Sequence, residues 1–295
     1  MTQLDTSTAV LDRLSEELDE LTPEAQKAAR YVLENPRDAG ILTVREIANA
    51  ANVKPNTLVR MARQVGFEGY DEFREPFREA IRQGDASLPD RVRWLQDVQK
   101  RGEIDALYAD MVTSALRNIE DTFANIDTER LKAAAEMLWN SRSVYTLGVG
   151  VNSANANNFT YLARMSMVEF HAIPRPGSTP SDDLAWVDER DALIAITCRP
   201  YRSEVVEAVE LAKEQGVKII AISDSPASPI VRAADYGFVL ATDTSQFFPS
   251  SVSTIALLET LLSFIIAAAS EKLVDRVEKL QARRHDLGLY REDPK

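Results

Sequence analysis

The stretch S-V-Y-T-L-G-V-G-V-N-S, residues Ser143–Ser153, decides the fold of the C-terminal half of the chain. A short β-rich apolar run ends in Gly148 and Gly150, and small polar residues follow before a helical pattern begins. A strand, a glycine turn and a helix start in this order would direct backbone N–H groups and a positive dipole end at one point in space. The spacing alone is typical of many βα turns, so the neighbouring runs have to be considered with it.

Five apolar runs in this half alternate with helical patterns. The runs are Val144–Leu147, Val168–Ile173, Ala192–Thr197, Val217–Ser223 and Tyr236–Ala241. The helical patterns lie near Ser153–Met165, Glu204–Gln215, Ser228–Ala234 and Ser250–Ala269. This alternation predicts an α/β domain whose five-stranded parallel sheet is covered by helices on both faces. Ligands of such sheets bind at the carboxyl ends of the strands.

The predicted strand ends carry hydroxyl, amide and guanidinium groups. Groups of this kind suit a phosphorylated or similarly anionic polar metabolite, which we expect as the effector. The candidate effector-binding residues are Gly148, Gly150, Asn152, Ser153, Thr197, Arg199, Arg202, Ser203, Ser250, Ser251 and Glu259.

The composition is that of an ordinary globular protein, with 295 residues of which 45% are hydrophobic and 27% charged. This length suffices for two domains. Cys198 is the only cysteine, which excludes an internal disulfide framework and cysteine-based zinc clusters, and we expect no metal or cofactor. The first residues have neither a basic start nor an apolar run, so no secretory signal is visible and a cytoplasmic location is predicted.

The run Val252–Ala269 needs testing as a membrane span. It barely reaches the required length and contains Glu259 among several hydroxyl residues, so a buried or interface helix is predicted instead. The run is too apolar to face water, and Leu273, Val277 and Leu280 continue an apolar stripe beyond it. We therefore expect a homodimer or a dimer of dimers.

Residues 43–66, T-V-R-E-I-A-N-A-A-N-V-K-P-N-T-L-V-R-M-A-R-Q-V-G, predict two short helices joined by a tight turn. Thr43 and Glu46 have capping-box spacing. Asn52 stands where the turn requires a left-handed residue, and Pro55 suits the first turn of the second helix. That helix separates an apolar face from a polar and basic one. The pattern is that of a helix-turn-helix, with an ordinary helical pair and a solvated basic face as the alternative.

The net charge of −12 argues at first against nucleic acid as a partner. Locally, however, Thr43–Val65 contains four cations and the single anion Glu46. A small basic patch on an acidic body would bind double-stranded DNA in one orientation, and a dimer would meet a palindromic operator. The candidate contacts to phosphates and base edges are Arg45, Lys54, Asn56, Thr57, Arg60, Arg63 and Gln64.

Three motifs follow one another in the N-terminal third: Asn35-Pro36 at a helix end, A-N-A-A-N-V-K-P-N-T-L-V-R at Ala48–Arg60, and G-F-E-G-Y-D-E-F at Gly66–Phe73. In this order they resemble the N-terminal domain of RpiR-family transcriptional regulators. The resemblance implies DNA binding and implies that the aromatic motif packs the recognition helix onto its domain. Lys54 replaces the usual Ser and Asn56 the usual small residue, and either change could alter operator preference without removing DNA binding.

The C-terminal half has G-V-G-V-N-S-A-N-A at Gly148–Ala156, D-A-L-I-A-I-T at Asp191–Thr197 and G-V-K-I-I-A-I-S-D at Gly216–Asp224. These motifs resemble the SIS (sugar isomerase) domain, the phosphosugar-binding partner of the helix-turn-helix in RpiR-family regulators. In that family the glycine loop and a Ser-x-Ser-Gly-x-Thr loop hold the phosphate and the sugar hydroxyls.

This chain departs from that pattern in both loops. Asn152 replaces a usual serine, and the second loop reads T-C-R-P-Y-R, with Arg199 and Arg202 at the second Ser and the Thr positions and Pro200 at the Gly position. Two guanidiniums could replace the hydroxyls with bidentate contacts to phosphate or carboxylate. Alternatively, they form structural salt bridges and the ligand lies elsewhere.

Together these patterns predict an all-α helix-turn-helix domain at residues 1–83, a linker at 84–104 with Gly84–Pro89 at its start, and an SIS-like effector-binding and dimerisation domain at 105–295. The predicted function is transcription regulation by a phosphosugar or a similar anion.

Two other functions are compatible with the sequence. An SIS-type sugar-phosphate isomerase would need a general base, for which His171 in an apolar strand pattern, His285 in a charged helix and Glu259 are the candidates. Of the three, His171 is expected to be a core histidine and Glu259 is the better base, although no triad or metal cluster is visible, so we expect no enzyme. In a third interpretation the SIS half serves only for dimerisation.

Overall fold

A computed structural model describes residues 6–82, 88–166, 168–269 and 272–289. The chain divides into two compact units. The first contains residues 1–116 and 243–250, and the second contains residues 117–242 and 251–295.

The described elements of the first unit are helical. They are α1 (Ser7–Glu16), a 3-10 turn at Leu18–Glu20, α2 (Pro23–Glu34), α3 (Pro36–Ile41), α4 (Val44–Ala50), α5 (Pro55–Gln64), α6 (Tyr70–Arg82), α7 (Leu88–Arg101) and α8 (Ile104–Ala124), which continues past the unit boundary. The caps agree with the sequence, because Thr43 and Glu46 form the predicted capping box at α4. Asn52, between α4 and α5, is left-handed with φ 53°, as predicted.

The core of the first unit is built where the helices cross. Ile47 of α4, Leu58 and Met61 of α5 and the aromatic side chains of α6 are buried in one cluster. Phe73 lies at the centre of the aromatic group, with its ring centroid 5.4 Å from that of Phe67. This confirms that the aromatic motif packs against the helix-turn-helix.

Two features of the first unit differ from the sequence prediction. Asn35-Pro36 ends α2 as expected, but Pro36 also starts the short helix α3. Residues 88–101, within the predicted linker, form α7, and its Trp94 and Val98 are buried against Ile41. Periodicity did not reveal this packing because the apolar residues of α7 are few among many charges. Residues 84–87 of the predicted linker lie outside the described residues.

The second unit is an α/β domain, which confirms the predicted fold class. Its strands are β1 (Ser143–Gly148), β2 (Glu169–Ile173), β3 (Ala192–Ile196), β4 (Lys218–Ser223) and β5 (Tyr236–Val239). All described pairings are parallel and the strand order is β2-β1-β3-β4-β5. The helices are α9 (Thr128–Trp139), α10 (Asn152–Ala163), α11 (Pro180–Asp183), α12 (Ser203–Glu214), α13 (Pro229–Ala233), α14 (Val252–Ala267) and α15 (Lys272–Asp286).

Separate apolar layers cover the two faces of the sheet. On one face, side chains of α9, α10 and α14, including Leu131, Phe159 and Leu257, pack with those of the strands. On the other face, side chains of α12 and α13, including Val205 and Ile230, form a second layer. Such coverage explains why the strands read as continuous apolar runs, since both of their faces are buried.

Helix α14 obtains most of its apolar contacts inside its own unit. The core contains Leu257, Leu258, Leu261 and Ile265. In the sequence, the apolar character of this helix indicated a second subunit, but these contacts account for most of it within one chain. Within the described residues, no helix combines the length and the hydropathy needed to cross a membrane.

Candidate functional sites

The helix-turn-helix presents a polar and basic surface on α5. Leu58, Met61 and Ala62 are fully buried on its inner face. Of the predicted DNA contacts Thr57 is half-buried and the others are exposed: Arg45, Lys54, Asn56, Arg60, Arg63 and Gln64. The structure therefore places all seven at the surface, six of them on or beside α5 and Arg45 on α4.

The start of α5 has no side-chain cap. Lys54 occupies the N-cap and its side chain makes no capping hydrogen bond, whereas α4 is closed by its capping box. Pro55 has no backbone N–H and that of Thr57 donates to the Lys54 carbonyl at 2.8 Å, so the N–H of Asn56 is the one in this turn that can attract a phosphate oxygen. Glu46, the single acid of residues 43–65, belongs to this capping box. Its carboxyl group accepts hydrogen bonds from Thr43, and these lower its pKa.

Arg63 differs from the other cations of α5 in being partly held. Its Nε donates a 3.1 Å hydrogen bond to the carbonyl of Glu68, which follows the helix. The bond fixes the direction of the guanidinium, and the side chain remains exposed.

In the second unit, the strand register brings three of the predicted loops to one edge. Gly148 of β1 pairs with Ile196 of β3, which pairs in turn with Ile222 of β4. The glycine turn, the loop Thr197–Ser203 and the residues after Ser223 therefore leave the sheet side by side. Ser250 belongs to the first unit, so the second unit alone does not contain every predicted effector contact.

The two glycines of the turn after β1 have different roles. A Cβ atom on Gly148 would lie 2.2 Å from the backbone oxygen of Asn152, so α10 passes too close for any side chain. Gly150 has φ 62° and open space around it, so its requirement is conformational. Both residues shape the turn whether or not a ligand is bound.

The polar side chains of this turn bond locally. Ser153 Oγ donates to the carbonyl of Gly150 at 2.7 Å, and Asn152 Oδ1 accepts from Asn155 Nδ2 at 3.2 Å. Neither side chain caps the start of α10. The turn is therefore held by its own hydroxyl and amide groups, and α10 begins without a side-chain cap.

The two arginines of the loop Thr197–Ser203 both have carboxylate partners. Arg199 Nε donates to Asp224 Oδ2 at 2.9 Å, and the Asp224 side chain is only 8% exposed. Arg202 Nη2 donates to Glu204 Oε1 at 2.7 Å, and both side chains of that pair are well exposed. The structural-salt-bridge interpretation thus applies firmly to Arg199, whereas Arg202 forms only a surface pair.

Asp224 is the residue that sequence reasoning left off the site. Its Oδ1 also accepts from the backbone N–H of Arg199 at 3.3 Å, and burial together with this carboxylate raises the pKa of Tyr201. Next to it, Ser223 Oγ donates to the Thr197 carbonyl at 2.6 Å. The signal was present in the sequence, because Ser223-Asp224 directly follows a buried strand at the same edge as the loop.

The candidate bases lie in unremarkable surroundings. Glu259 is exposed on α14, about 10 Å along the helix from Val252. His171 was expected in the core but its side chain is 39% exposed, 3.8 Å from Glu169 in the middle of edge strand β2. His285 is exposed on α15.

Burial raises the pKa of the Cys198 thiol to about 12, so this thiol stays protonated at neutral pH. Among the described residues, no group of three or more His, Cys, Asp or Glu residues could hold a metal ion.

Two family models match the chain in the order of its two folds. The model for a helix-turn-helix domain of the rpiR family matches residues 8–84, which include α4 and α5. The model for the SIS domain matches residues 137–265, which include all five strands. The chain is thus a transcriptional regulator of the helix-turn-helix type that carries an SIS domain.

Similar proteins agree with both matches. An uncharacterised HTH-type transcriptional regulator of Caldanaerobacter subterraneus is 27% identical over 282 residues, which cover 93% of this chain and 95% of that protein. The sugar isomerase domain of an RpiR transcription factor from Sphaerobacter thermophilus is 26% identical with a TM-score of 0.56, covering 60% of this chain and 98% of that one. The chain belongs to the RpiR family of transcriptional regulators.

A further solved structure shares the fold over nearly the whole chain. Vibrio vulnificus NanR, complexed with ManNAc-6P, is 20% identical with a TM-score of 0.55 and covers 94% of this chain and 98% of its own. At this identity the likeness concerns the fold alone.

Proposed function

We propose that the protein binds operator DNA through the outward face of α5 and that an anionic metabolite, bound at the carboxyl edge of the sheet, modulates this binding. The observation that carries the proposal is the surface of α5, where exposed Arg60, Arg63 and Gln64 stand over a fully buried inner face. Side chains of these types contact phosphates and base edges in the major groove. Such a function places the protein in the compartment that holds the DNA.

The effector is proposed to be a phosphosugar or a similar anion. Helices α10, α12, α13 and α14 have no side-chain cap, whereas α9 and α11 in the same unit are capped by Asp127 and Thr179. At α10 the N–H groups of Asn152 and Ser153 already donate to carbonyls of the glycine turn. Within the described residues, the backbone N–H groups of Ser203 and Glu204 make no hydrogen bond. Uncapped helix starts bind anions. ManNAc-6P, the ligand of the NanR complex, fits this chemical class.

Arg202 is proposed as the side chain that selects the anion. Its pair with Glu204 is exposed and therefore weak, so a phosphate or a carboxylate can compete for the guanidinium. Arg199 is held by a nearly buried carboxylate and is proposed to shape the loop instead. This division assigns different roles to two arginines three residues apart.

Homodimerisation is part of the proposal, since a palindromic operator presents two half-sites to two recognition helices. No observation favours the isomerase: His171 lies in the middle of β2, and Glu259 is exposed about two turns into α14. An isomerisation assay on sugar phosphates tests that alternative directly.

The DNA proposal is tested by titrating the full chain against the DNA upstream of its own gene at 50 and 200 mM salt. A dimer that neutralises about six phosphates should lose affinity about a thousandfold between the two conditions. Absence of binding at 50 mM salt would refute the proposal. A scrambled duplex of the same length controls for non-specific binding.

The effector proposal is tested by thermal shift with a panel of sugar phosphates and the matching free sugars. A ligand of the folded state stabilises it, by about 2.7 kcal/mol at a concentration of a hundred times its Kd. The melting temperature rises accordingly. An equal effect of phosphorylated and free sugars would remove the anion from the proposal.

A further inference from the structure

Helices α6, α7 and α8 form a pocket of about 200 Å³ within the first unit. Trp94, Val98 and Leu107 line its apolar side, and Arg78 and Arg101 line its polar side. At about 30 Å³ for each water molecule, this volume corresponds to roughly seven waters or one small ligand. The residues that line the pocket belong neither to the proposed DNA contacts nor to the carboxyl edge of the sheet.

Hydrogen-bond donors at this pocket lack acceptors. Trp94 is 7% exposed, and its indole N–H makes no hydrogen bond in the described part of the chain. The same holds for Nε of Arg78 and for Nε, Nη1 and Nη2 of Arg101, all of them buried atoms. A buried donor without an acceptor destabilises the folded chain. The pocket is therefore complementary to a group that carries several acceptor oxygens.

Carboxylates of the same chain approach the two arginines without taking the place of such a group. Arg101 Nη1 lies 3.2 Å from Asp97 Oδ2, and Arg101 Nε lies 3.2 Å from Glu103 Oε2, but neither contact has hydrogen-bond geometry. Arg78 Nη1 donates to Glu75 Oε2 at 3.5 Å, which is long for a hydrogen bond. The Glu75 and Glu103 side chains are 48% and 45% exposed, so water weakens both pairs.

The pocket also selects against large polyanions. Glu75, Glu103 and Asp110 line it together with the arginines, and Ser245 Oγ donates to Asp110 Oδ2 at 3.3 Å. A nucleic acid or a multiply phosphorylated ligand would bring further negative charge against these carboxylates. An ion with a single phosphate or carboxylate group can stay beside the arginines.

A third arginine connects this region to the helix-turn-helix. Arg74 of α6 is 4% exposed, and its Nη2 donates to the carbonyls of Gly40 and Leu42 at 3.2 and 3.1 Å. Burial, followed by the charges of Arg78 and Arg101, lowers the pKa of Arg74 to about 10. The two pocket arginines thus repel the arginine that holds the segment before α4. Negative charge placed beside them reduces this repulsion.

We propose that this pocket binds a small oxyanion, which accepts hydrogen bonds from Trp94 Nε1 and from the guanidiniums of Arg78 and Arg101. Guanidinium groups bind phosphate and carboxylate oxygens in pairs, and these bonds are stronger than those to neutral acceptors. By offsetting the charge near Arg74, the bound anion stabilises residues 40–42 and with them the start of α4. The first unit thereby has an anion site of its own, separate from the effector site proposed in the second unit.

Titration of the full chain with inorganic phosphate and with acetate, followed by the indole N–H signals in nuclear magnetic resonance spectra, tests the site. The chain has three tryptophans, so Trp94→Phe and Trp186→Phe assign the signals needed. At constant ionic strength the Trp94 signal should shift in a saturable way with at least one anion, because its N–H gains an acceptor. Trp186, 93% exposed in the second unit, should not follow the same curve. The two anions distinguish phosphate from carboxylate.

Arg101→Gln should weaken binding at least about tenfold, since it removes the charge and the forked donors. Arg93→Gln on the same helix is the matched control, because the Arg93 side chain is 67% exposed and lies outside the pocket. If Arg101→Gln does not fold, Arg78→Gln makes the same test. No saturable shift of Trp94 with either anion, or equal affinity in the wild type and the folded pocket variant, would overturn the proposal. Loss of the Trp94 response in Arg202→Gln would overturn it too, because the anion would then bind in the second unit.

Hydrogen exchange tests the link to the helix-turn-helix. With the anion at saturation, exchange in residues 43–50 should slow in the wild type and not in Arg101→Gln. Unchanged exchange in a wild type whose Trp94 signal saturates would refute the link through Arg74. The site does not rest on DNA binding, so a chain that binds the anion but fails the DNA titration would refute only the regulatory function.

Discussion

The helix-turn-helix and the loop Thr197–Ser203 both expose cationic side chains. They differ in whether these cations form ion pairs with carboxylates of the same chain. Lys54 and Arg60 on the DNA surface form no ion pair within the described residues, whereas Arg199 and Arg202 of the loop are both paired with carboxylates. Unpaired cations create an attractive field for a polyanion, and paired cations mainly fix geometry. The proposed DNA surface therefore favours long-range attraction, whereas in the loop Arg199 mainly fixes geometry and Arg202 has only a weak surface partner.

The departure of this chain from the SIS pattern has the same explanation. In the family the loop has hydroxyls and a glycine, and here Arg199 brings its own partner in Asp224. The loop is thereby tied to β4 by side chains instead of by a flexible backbone. The arginine substitution and the acid after β4 should be regarded as one structural unit.

The largest expected effect concerns the glycine turn after β1. Gly148→Ala should destabilise the second unit by about 3 kcal/mol, because the new Cβ would lie 2.2 Å from the Asn152 oxygen. Urea unfolding measures it. Gly69→Ala beside the helix-turn-helix is the control: its Cβ meets nothing within 4 Å, so its effect should stay below about 0.5 kcal/mol. Equal effects at both sites would contradict the close approach.

The next effect concerns the unpaired cations of the DNA surface. Arg60→Ala should reduce operator affinity by about 10- to 100-fold, since a base or phosphate contact of this kind contributes about 1–3 kcal/mol. Stability should not change, because Arg60 is exposed and unpaired in the described part of the chain. Fluorescence anisotropy measures the affinity, with Arg232→Ala on α13 as an exposed-arginine control. Unchanged affinity would remove Arg60 from the interface.

The two loop arginines should separate into a structural and a ligand-binding residue. Arg199→Gln should lower the free energy of unfolding by about 1–2 kcal/mol, because Asp224 would stay nearly buried without its cation. Arg202→Gln should cost less than about 0.5 kcal/mol, since its pair is exposed. Effector affinity should show the reverse order in isothermal titration calorimetry. An unchanged effector affinity in Arg202→Gln would refute the proposed contact between Arg202 and the anion.

The smallest effect is a difference in acid sensitivity. In the second unit, burial opposes ionisation of Asp183 and Asp235, but hydrogen bonds from Arg175 and Ser178, and from Ile219 and Lys218, outweigh it and lower the pKa of each carboxyl. A carboxyl with a lowered folded-state pKa stabilises the fold above its unfolded pKa, and the stabilisation disappears as the pH falls through the folded-state pKa.

In the helix-turn-helix, Glu46 is the acid whose pKa is lowered in this way. The second unit should therefore lose more stability below about pH 4 than the first. Unfolding monitored by hydrogen exchange from pH 6 to pH 3 resolves the units, and Asp183→Asn should flatten the curve of the second one. A steeper acid loss in the first unit would reverse the comparison.

Local sequence signals predicted most of the elements and the polar outer face of α5. The capping box at Thr43, the left-handed Asn52 and the two faces of α5 all depend on residues within a few positions of one another. The five strands could be located because burial on both faces imposes continuous apolar runs. These interactions join residues that are close in sequence, so the pattern of residue types is enough to predict them.

Tertiary structure alone decided the rest. Arg199 and Asp224 are 25 residues apart, and nothing local shows that the guanidinium is already neutralised. The burial of Trp94 in α7, the core contacts of α14 and the exposure of Tyr108 on α8 likewise depend on which surfaces other elements cover. Sequence determined which segments are helices, strands and turns, because those follow from neighbouring residues. Only the packed chain determined which charges are paired and which apolar faces still lack a partner, because both depend on contacts between distant segments.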